Sequence, residues 1–182
     1  IIITLEPDGT TVNKPTGQVA YSSVFPSESL IPIRKLLVTY EDGPEQLALI
    51  QGLWYYSGSW INISIAGDQE SKIVGLREAW KNGDESTVRM RTEEIINQIV
   101  GSQSNQFLDY DGNGKIDNTP GDLATDGFGS FPNGNQSGYI KATIEQAQLA
   151  SEASDSTPNI RENSEYLQIC VQNMDARLKL IL

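Results

Sequence analysis

Asp109, Asp111, Asn113 and Asp117 set side-chain oxygens at the first, third, fifth and ninth places of one short segment, with Gly114 at the sixth. Alternating residues in a tight turn point their oxygens to a common centre, and glycine permits the sharp reversal. A hard divalent cation is what such a set of oxygens binds, because it requires six to eight oxygen ligands. Lys115, at the seventh place, has a backbone carbonyl to offer while its charge points outward. Ile116, at the eighth, is expected to pack the loop against its flanking helices. The chemistry in view is coordination rather than proton transfer.

The run Asp109-Tyr110-Asp111-Gly112-Asn113-Gly114-Lys115-Ile116-Asp117 resembles an EF-hand calcium loop. Its twelfth place holds Pro120 where that family carries a bidentate Glu. In this departure it is similar to the altered, dockerin-type loops of exported prokaryotic proteins. The likeness is confined to the loop, 109–122. It implies Ca²⁺ as the cofactor and Asp109, Asp111, Asn113, Lys115, Asp117 and Asp122 as the ligand set, with Asp126 as a further source of the missing carboxylate. An ion here is expected to stiffen the chain rather than to switch it, since sensors use paired loops that open an apolar groove. Residues of these types also dominate ion-free turns. The matched positions against one departure favour the ion.

Composition narrows the function classes. The chain has 182 residues and a net charge of -11, which suits one domain, or a domain with an arm. That acidity argues against nucleic acid and against anionic membrane surfaces. There is no histidine, which excludes His-ligated zinc or haem and Ser-His-Asp or Cys-His catalysis. Cys170 is the single cysteine; it rules out an intrachain disulfide and is expected to be a small core residue. No apolar run is long enough to span a bilayer. The start Ile1-Ile2-Ile3 reads as a processed or trimmed product, for which a removed export signal is one explanation and an artificial boundary another; the expected location is extracellular or the cell surface.

These residues need a scaffold. Residues 1–43 carry β-prone Ile1 to Leu5, a Pro7-Asp8-Gly9 turn signal and Pro15, Pro26 and Pro32. They are expected to form an extended arm with short strands, although Ile33 to Val38 reads equally as a helical turn or two. From 44 to 182 the texture is helical. Leu47, Ile50, Trp54, Ser57, Ile61 and Ile65 recur at helical spacing after Pro44, and Ile73, Leu76 and Trp80 continue to Asn82-Gly83. Trp60 to Ile65 also alternates like a strand. A second helix follows Asp84, with Val88, Thr92, Ile95 and Ile99 as its stripe and Gly101 at its end. A third runs from Gly138 to Ala153 with Ile140, Ile144, Ala147 and Ala150 inward. A fourth follows the Thr157-Pro158 start signal, with Ile160, Leu167, Val171, Met174, Leu178 and Ile181 as its seam. The expected fold is mainly α, a four-helix-bundle-like domain with the calcium loop in its central crossover.

Four other features have a functional reading beside a structural one. Trp54, Tyr55, Tyr56 and Trp60 offer either a carbohydrate- or protein-binding surface or packing between elements. Asn62 and Asn135 begin glycosylation sequons. Glu93-Glu94, Glu162 and Glu165 would have to supply any carboxylate-based hydrolase, but they fit solvent-facing helix positions better. Residues 1–12 are suited to adding a strand to another copy, which would make the chain a subunit of an extracellular filament or surface polymer. The leading expectation is a non-enzymatic, calcium-stabilised helical module with a structural or binding role.

Overall fold

The computed structural model describes residues 2–6, 17–22, 26–43, 46–57, 72–117 and 128–182. Trp60, the helix-or-strand segment Trp60 to Ile65, the Asn62 sequon, Pro120, Asp122, Asp126 and residues 7–12 lie outside these ranges. The chain is mainly helical, with a small two-stranded ribbon near its N-terminus. Among the described residues no helix is long and apolar enough to cross a membrane.

Strands β1 (Ile2–Leu5) and β2 (Gln18–Ser22) pair antiparallel, with Ile3 opposite Tyr21 and Thr4 opposite Val19. A register shift falls between Ile3 and Thr4. Glu6 closes the ribbon by accepting hydrogen bonds from the Gly17 N–H and the Thr4 hydroxyl, both at 2.8 Å.

Helix α1 (Leu30–Leu37) lies inside the segment expected to be extended. Pro32 is compatible with it because a proline in the first turn forfeits no helical hydrogen bond. The start of α1 is held from far along the chain. The Asp155 carboxylate accepts from the Glu28 and Ser29 N–H groups at 2.7 and 2.9 Å, and the Ser154 hydroxyl donates to Glu28 at 2.7 Å. Sequence-local reading has no access to a cap supplied 126 residues away.

Helix α2 (Leu49–Ser57) starts later than Pro44 suggests. The Tyr40 N–H donates to the Leu47 carbonyl at 3.0 Å, the Thr39 hydroxyl donates to Gln46 at 2.8 Å, and Gln46 sits at φ 54°. Together these hold a turn in place of helix. The buried face of α2 is also rotated from the expected one. Leu49, Gly52, Leu53 and Tyr56 are buried, while Ile50 and Trp54 are exposed. Gly52 is the reason: a β-carbon there would lie 1.9 Å from the Tyr139 ring. Its absence lets Tyr139 reach the helix and stack on Tyr56, with ring centres 5.2 Å apart.

Helices α3 (Lys72–Asn82) and α4 (Glu85–Val100) form a hairpin turned at Gly83. Asp84 caps α4 as expected, accepting from the Thr87 N–H at 3.1 Å. Trp80, expected on the inner stripe of α3, is 74% exposed, and Ala79 takes the buried place. On α4, Ile95 and Ile99 are buried as expected, whereas Thr92 is exposed and returns its hydroxyl to the Val88 carbonyl.

Helices α5 (Gly138–Glu152) and α6 (Pro158–Leu178) form the most extensive helix pair, and α1 and α2 pack on α5. Ala142, Ala147 and Ala150 are fully buried, so close helix contact is available. Ser164, Val171 and Leu178 are the buried line of α6, flanked by half-buried Ile160, Leu167 and Met174. Ile181 lies beyond the helix and is exposed. Cys170, expected in the core, is exposed, because it follows Ile169 on the outer face of α6. Phe128 and Tyr40 join Tyr139 and Tyr56 in the aromatic centre of the core.

Candidate metal centre

The C-terminal half of α4 is buried on all sides, from Glu93 through Val100. One side carries Ile95 and Ile99 into the core. Another carries Glu93 and Asn97, and the 108–117 segment lies over it. A charged residue enclosed this way requires hydrogen bonds that replace its water. Glu93, expected at a solvent-facing position, is instead 0% exposed, and Glu94 is 6% exposed.

The loop's own backbone supplies what Glu93 needs. One carboxylate oxygen accepts from the Tyr110 and Asp111 N–H groups at 2.8 and 2.9 Å, and the other accepts from the Asp117 N–H at 2.6 Å. The Asn97 amide adds a long contact of 3.5 Å. A carboxylate offers about four acceptor directions. Three backbone donors therefore fill three of these directions, and the fourth, on the oxygen bonded to Asp117, is met only by the long Asn97 contact. Glu94 lies elsewhere in character: it pairs with Arg91 at 2.9 Å.

Asn97 works as a surrogate peptide group one turn further on. Its oxygen accepts from the Leu108 N–H at 3.1 Å, and its nitrogen donates to the Leu108 and Asp117 carbonyls at 3.0 and 2.8 Å. The loop is thus fastened at its start and its finish by two side chains of one helix. Ile116, expected to plug the loop onto its helices, is 47% exposed, since polar side chains from below have taken over that task.

Within the loop the carboxylates are aimed by short turns. Asp109 accepts from the Gly112 and Gly114 N–H groups at 2.6 and 2.8 Å. Chiefly because of the Gly114 bond, its carboxyl titrates below the ordinary aspartate range, although partial burial opposes the shift. Asp111 accepts from the Asn113 N–H at 2.9 Å. The Asn113 amide nitrogen then donates to both Asp111 and Asp117, each at 2.9 Å, and its oxygen accepts from the Lys115 N–H at 2.8 Å. Tyr110 is held by a hydroxyl bond to the Gln106 carbonyl at 2.6 Å. Burial and then the Glu93 charge push its phenol upward.

Glu93, Asp109 and Asp111 each bring a carboxylate oxygen to within 4.8 Å of the others, so this triad can hold a metal ion. The fit is chemical as well as spatial. Every side-chain donor is oxygen, the choice of a hard cation. Like charges this close repel unless a cation or a proton intervenes. Of the residues expected from sequence, the structure brings Asp109 and Asp111 into the triad. Asn113 and Asp117 join them by hydrogen bonds, and Lys115 contributes its N–H to the turn. Asp122 lies outside the described residues. Sequence reasoning weighed Glu93 only as a hydrolase carboxylate and missed it as a metal-site residue. It stands sixteen places before Asp109, upstream of the loop, where a motif that runs downstream does not look.

The described chain that resumes at Phe128 is anchored to the end of α4 as well. The Ser130 N–H donates to the Ile99 carbonyl at 2.8 Å, and the Tyr139 and Ile140 N–H groups donate to Gly129 and Ser130. Gly129, at φ 60°, lies so close to the Val100 carbonyl that a β-carbon there would meet it at 2.3 Å.

The aromatic candidates do not converge. Tyr56 is core, Trp54 is 48% exposed and leans on Tyr55, and Trp60 lies outside the described residues. Asn135 is exposed in the turn closed by Asn133 and Gln136. Glu162 and Glu165 are both exposed on α6. Comparison with protein-family models, curated proteins and solved structures returns no match, so the site's own chemistry carries the functional argument.

Proposed function

We propose that this chain is a non-enzymatic, calcium-stabilised helical module of an exported protein, acting at the cell surface or outside the cell in a structural or binding role. The observation that carries this reading is the approach of Glu93, Asp109 and Asp111 at the mouth of a loop whose spacing suits calcium. Calcium is favoured over magnesium because the donors belong to an irregular loop, and calcium tolerates irregular coordination while magnesium demands a near-ideal octahedron. Asp109 and Asp111 would be direct ligands, with Asn113, Asp117 and the Lys115 carbonyl completing the loop's share. Glu93 takes the anchoring part, and an ion would compete with the long Asn97 contact for its remaining acceptor direction. It stands in place of the Glu that the loop lacks at Pro120.

When bound, the ion supplies two positive charges to a pocket of converging carboxylates. The protein supplies the placement: Glu93 and Asn97 fix the loop to α4, and Gly112 and Gly114 hold Asp109 in position. A loop fastened this firmly suits a permanent rivet better than a switch. Calcium titration of the chelator-treated chain, followed by calorimetry and thermal melting, tests the reading. Saturable binding with a rise in melting temperature is expected. An unchanged melting temperature in millimolar calcium would remove the proposal's basis.

A further inference from the structure

Trp80 is the most exposed aromatic side chain among the described residues, and it stands beside a cavity. The cavity has a volume of about 320 Å³ and lies at the turn of the α3–α4 hairpin, lined by Trp80, Gly83, Glu85 and Val88. That volume is at the small end of ligand sites, a size for one compact ring rather than for a peptide or a helix. Trp80 and Val88 make its lining apolar on two sides. The Gly83 backbone is open: at φ 71° a β-carbon there would meet nothing within 4 Å. Glu85 supplies a polar edge, and Arg89 is held to it. The Arg89 Nε and Nη2 groups both donate to Glu85 Oε1, at 3.0 and 2.6 Å. Among the described residues the other Glu85 oxygen, Oε2, and the Arg89 Nη1 are engaged by nothing. An acceptor and a donor therefore stand side by side at the rim of an apolar wall.

Charge and chemistry select the occupant. The hairpin tip, 77–89, sets Arg77, Lys81 and Arg89 against Glu78, Asp84 and Glu85, so it is neutral within a chain of net charge -11. Its charges are also paired, Lys81 with Glu78 at 2.8 Å and Arg89 with Glu85 at 2.6 Å. A cation over the indole would find the one carboxylate of the lining already neutralised. An anion would find its place at the start of α4 taken by Asp84, which accepts from the Thr87 N–H and hydroxyl. What fits is a neutral molecule with an apolar face and an edge of hydroxyls. A pyranose is such a molecule: its C–H face packs on an aromatic ring, and its neighbouring hydroxyls both donate and accept. We propose that the cavity beside Trp80 binds one sugar ring of a neutral carbohydrate. Trp80 and Val88 contact the ring, Glu85 Oε2 accepts from one hydroxyl, and Arg89 Nη1 donates to the next. This site is separate from the metal loop, since Glu85 and Glu93 stand eight residues apart on α4, about 12 Å along its axis. It goes beyond the calcium reading and does not rest on it.

The full chain is titrated with cellotriose, maltotriose, mannotriose and chitotriose, and separately with choline as a cationic probe. Saturation-transfer NMR reads contact on the sugar. The indole N–H signals read it on the protein, the Trp80 signal being the one absent from Trp80→Ala. At least one oligosaccharide is expected to bind saturably, with a dissociation constant of about 1 mM, and to move the Trp80 signal. Trp80→Ala is expected to abolish saturation. Glu85→Gln, which keeps the tryptophan, is expected to weaken binding about fivefold, the worth of one hydrogen bond. Circular dichroism checks folding, and Glu85→Gln carries the test if Trp80→Ala disturbs the hairpin. No saturation by any of the oligosaccharides at about 10 mM, tenfold above the expected constant, would overturn the proposal. So would full binding by Trp80→Ala, unchanged affinity in Glu85→Gln, or a Trp80 signal that moves with choline and not with sugar.

Discussion

Glu93 and Asn97 stand one helical turn apart on α4 and between them hold both ends of the candidate metal loop. Asn97 binds Leu108 and the Asp117 carbonyl, while Glu93 accepts from the N–H groups of Tyr110, Asp111 and Asp117. The loop is therefore part of the helix's packing surface, held by protein hydrogen bonds that do not pass through an ion. Preorganisation of this kind lowers the ordering cost of binding.

The two roles at the site separate by mutation. Glu93→Gln replaces an acceptor with an amide that cannot satisfy all three backbone donors. It should cost about 2–4 kcal/mol in urea unfolding even under chelating conditions, because buried charge-assisted hydrogen bonds are lost. Asp109→Asn should cost far less without calcium and should weaken calcium binding. If both variants behave alike in EDTA, Glu93 is not the anchor.

Calcium should stabilise the chain by mass action, by roughly 3–4 kcal/mol when the free ion exceeds its dissociation constant 100- to 1,000-fold. Asp109→Ala or Asp111→Ala should remove most of that gain. Melting curves of wild type and variant with and without calcium decide it. A variant that keeps the full wild-type increment would sink the ligand assignment.

Gly52→Ala pits two local effects against each other. In an open helix the change gains about 1 kcal/mol of propensity. Here the new β-carbon meets the Tyr139 ring at 1.9 Å. Overpacking of this kind costs about 1–3 kcal/mol or more, so the net effect should be destabilising. Pairing it with Tyr139→Leu should recover part of the loss in a double-mutant cycle. Additive losses would show that the Gly52–Tyr139 approach is not what sets the face of α2.

Asp155 joins the turn between α5 and α6 to the start of α1. Burial is the largest single influence on its carboxyl and acts upward. The N–H groups of Glu28 and Ser29, with smaller help from the Ser29 hydroxyl and the Ser27 N–H, together outweigh it and hold the carboxyl below the ordinary value of 3.8. A carboxyl depressed on folding contributes stability that is complete above its unfolded value and is lost as pH falls through its folded one. The wild type should accordingly lose this contribution below about pH 4. Asp155→Asn should be less stable at neutral pH and show a shallower acid limb in chelator. Parallel acid limbs would contradict the cap.

Much of the scaffold was legible in the residues because its signals are local. Asp84, Gly83, Gly101, Thr157 and Pro158 mark helix ends through their own side chains and backbone freedom, and the structure places the ends there. The inward stripe of α5 was equally readable, since small residues repeat at helical spacing. The face of α2 was not, because Leu47, Ile50 and Trp54 match helical spacing as well as the residues that are buried. Only the approach of Tyr139 from α5 decides between them.

The same division runs through the site. The sequence by itself determined the oxygen-bearing loop, since position within a tight turn dictates where Asp109, Asp111, Asn113 and Asp117 can point. It also determined the lack of any imidazole chemistry, which follows from composition alone. Only the tertiary structure decided that Glu93 lies beneath that loop. A glutamate next to a glutamate on a helix reads as solvent-facing until another segment arrives to cover it. Here the covering segment brings backbone N–H groups, and those are what let a carboxylate be buried.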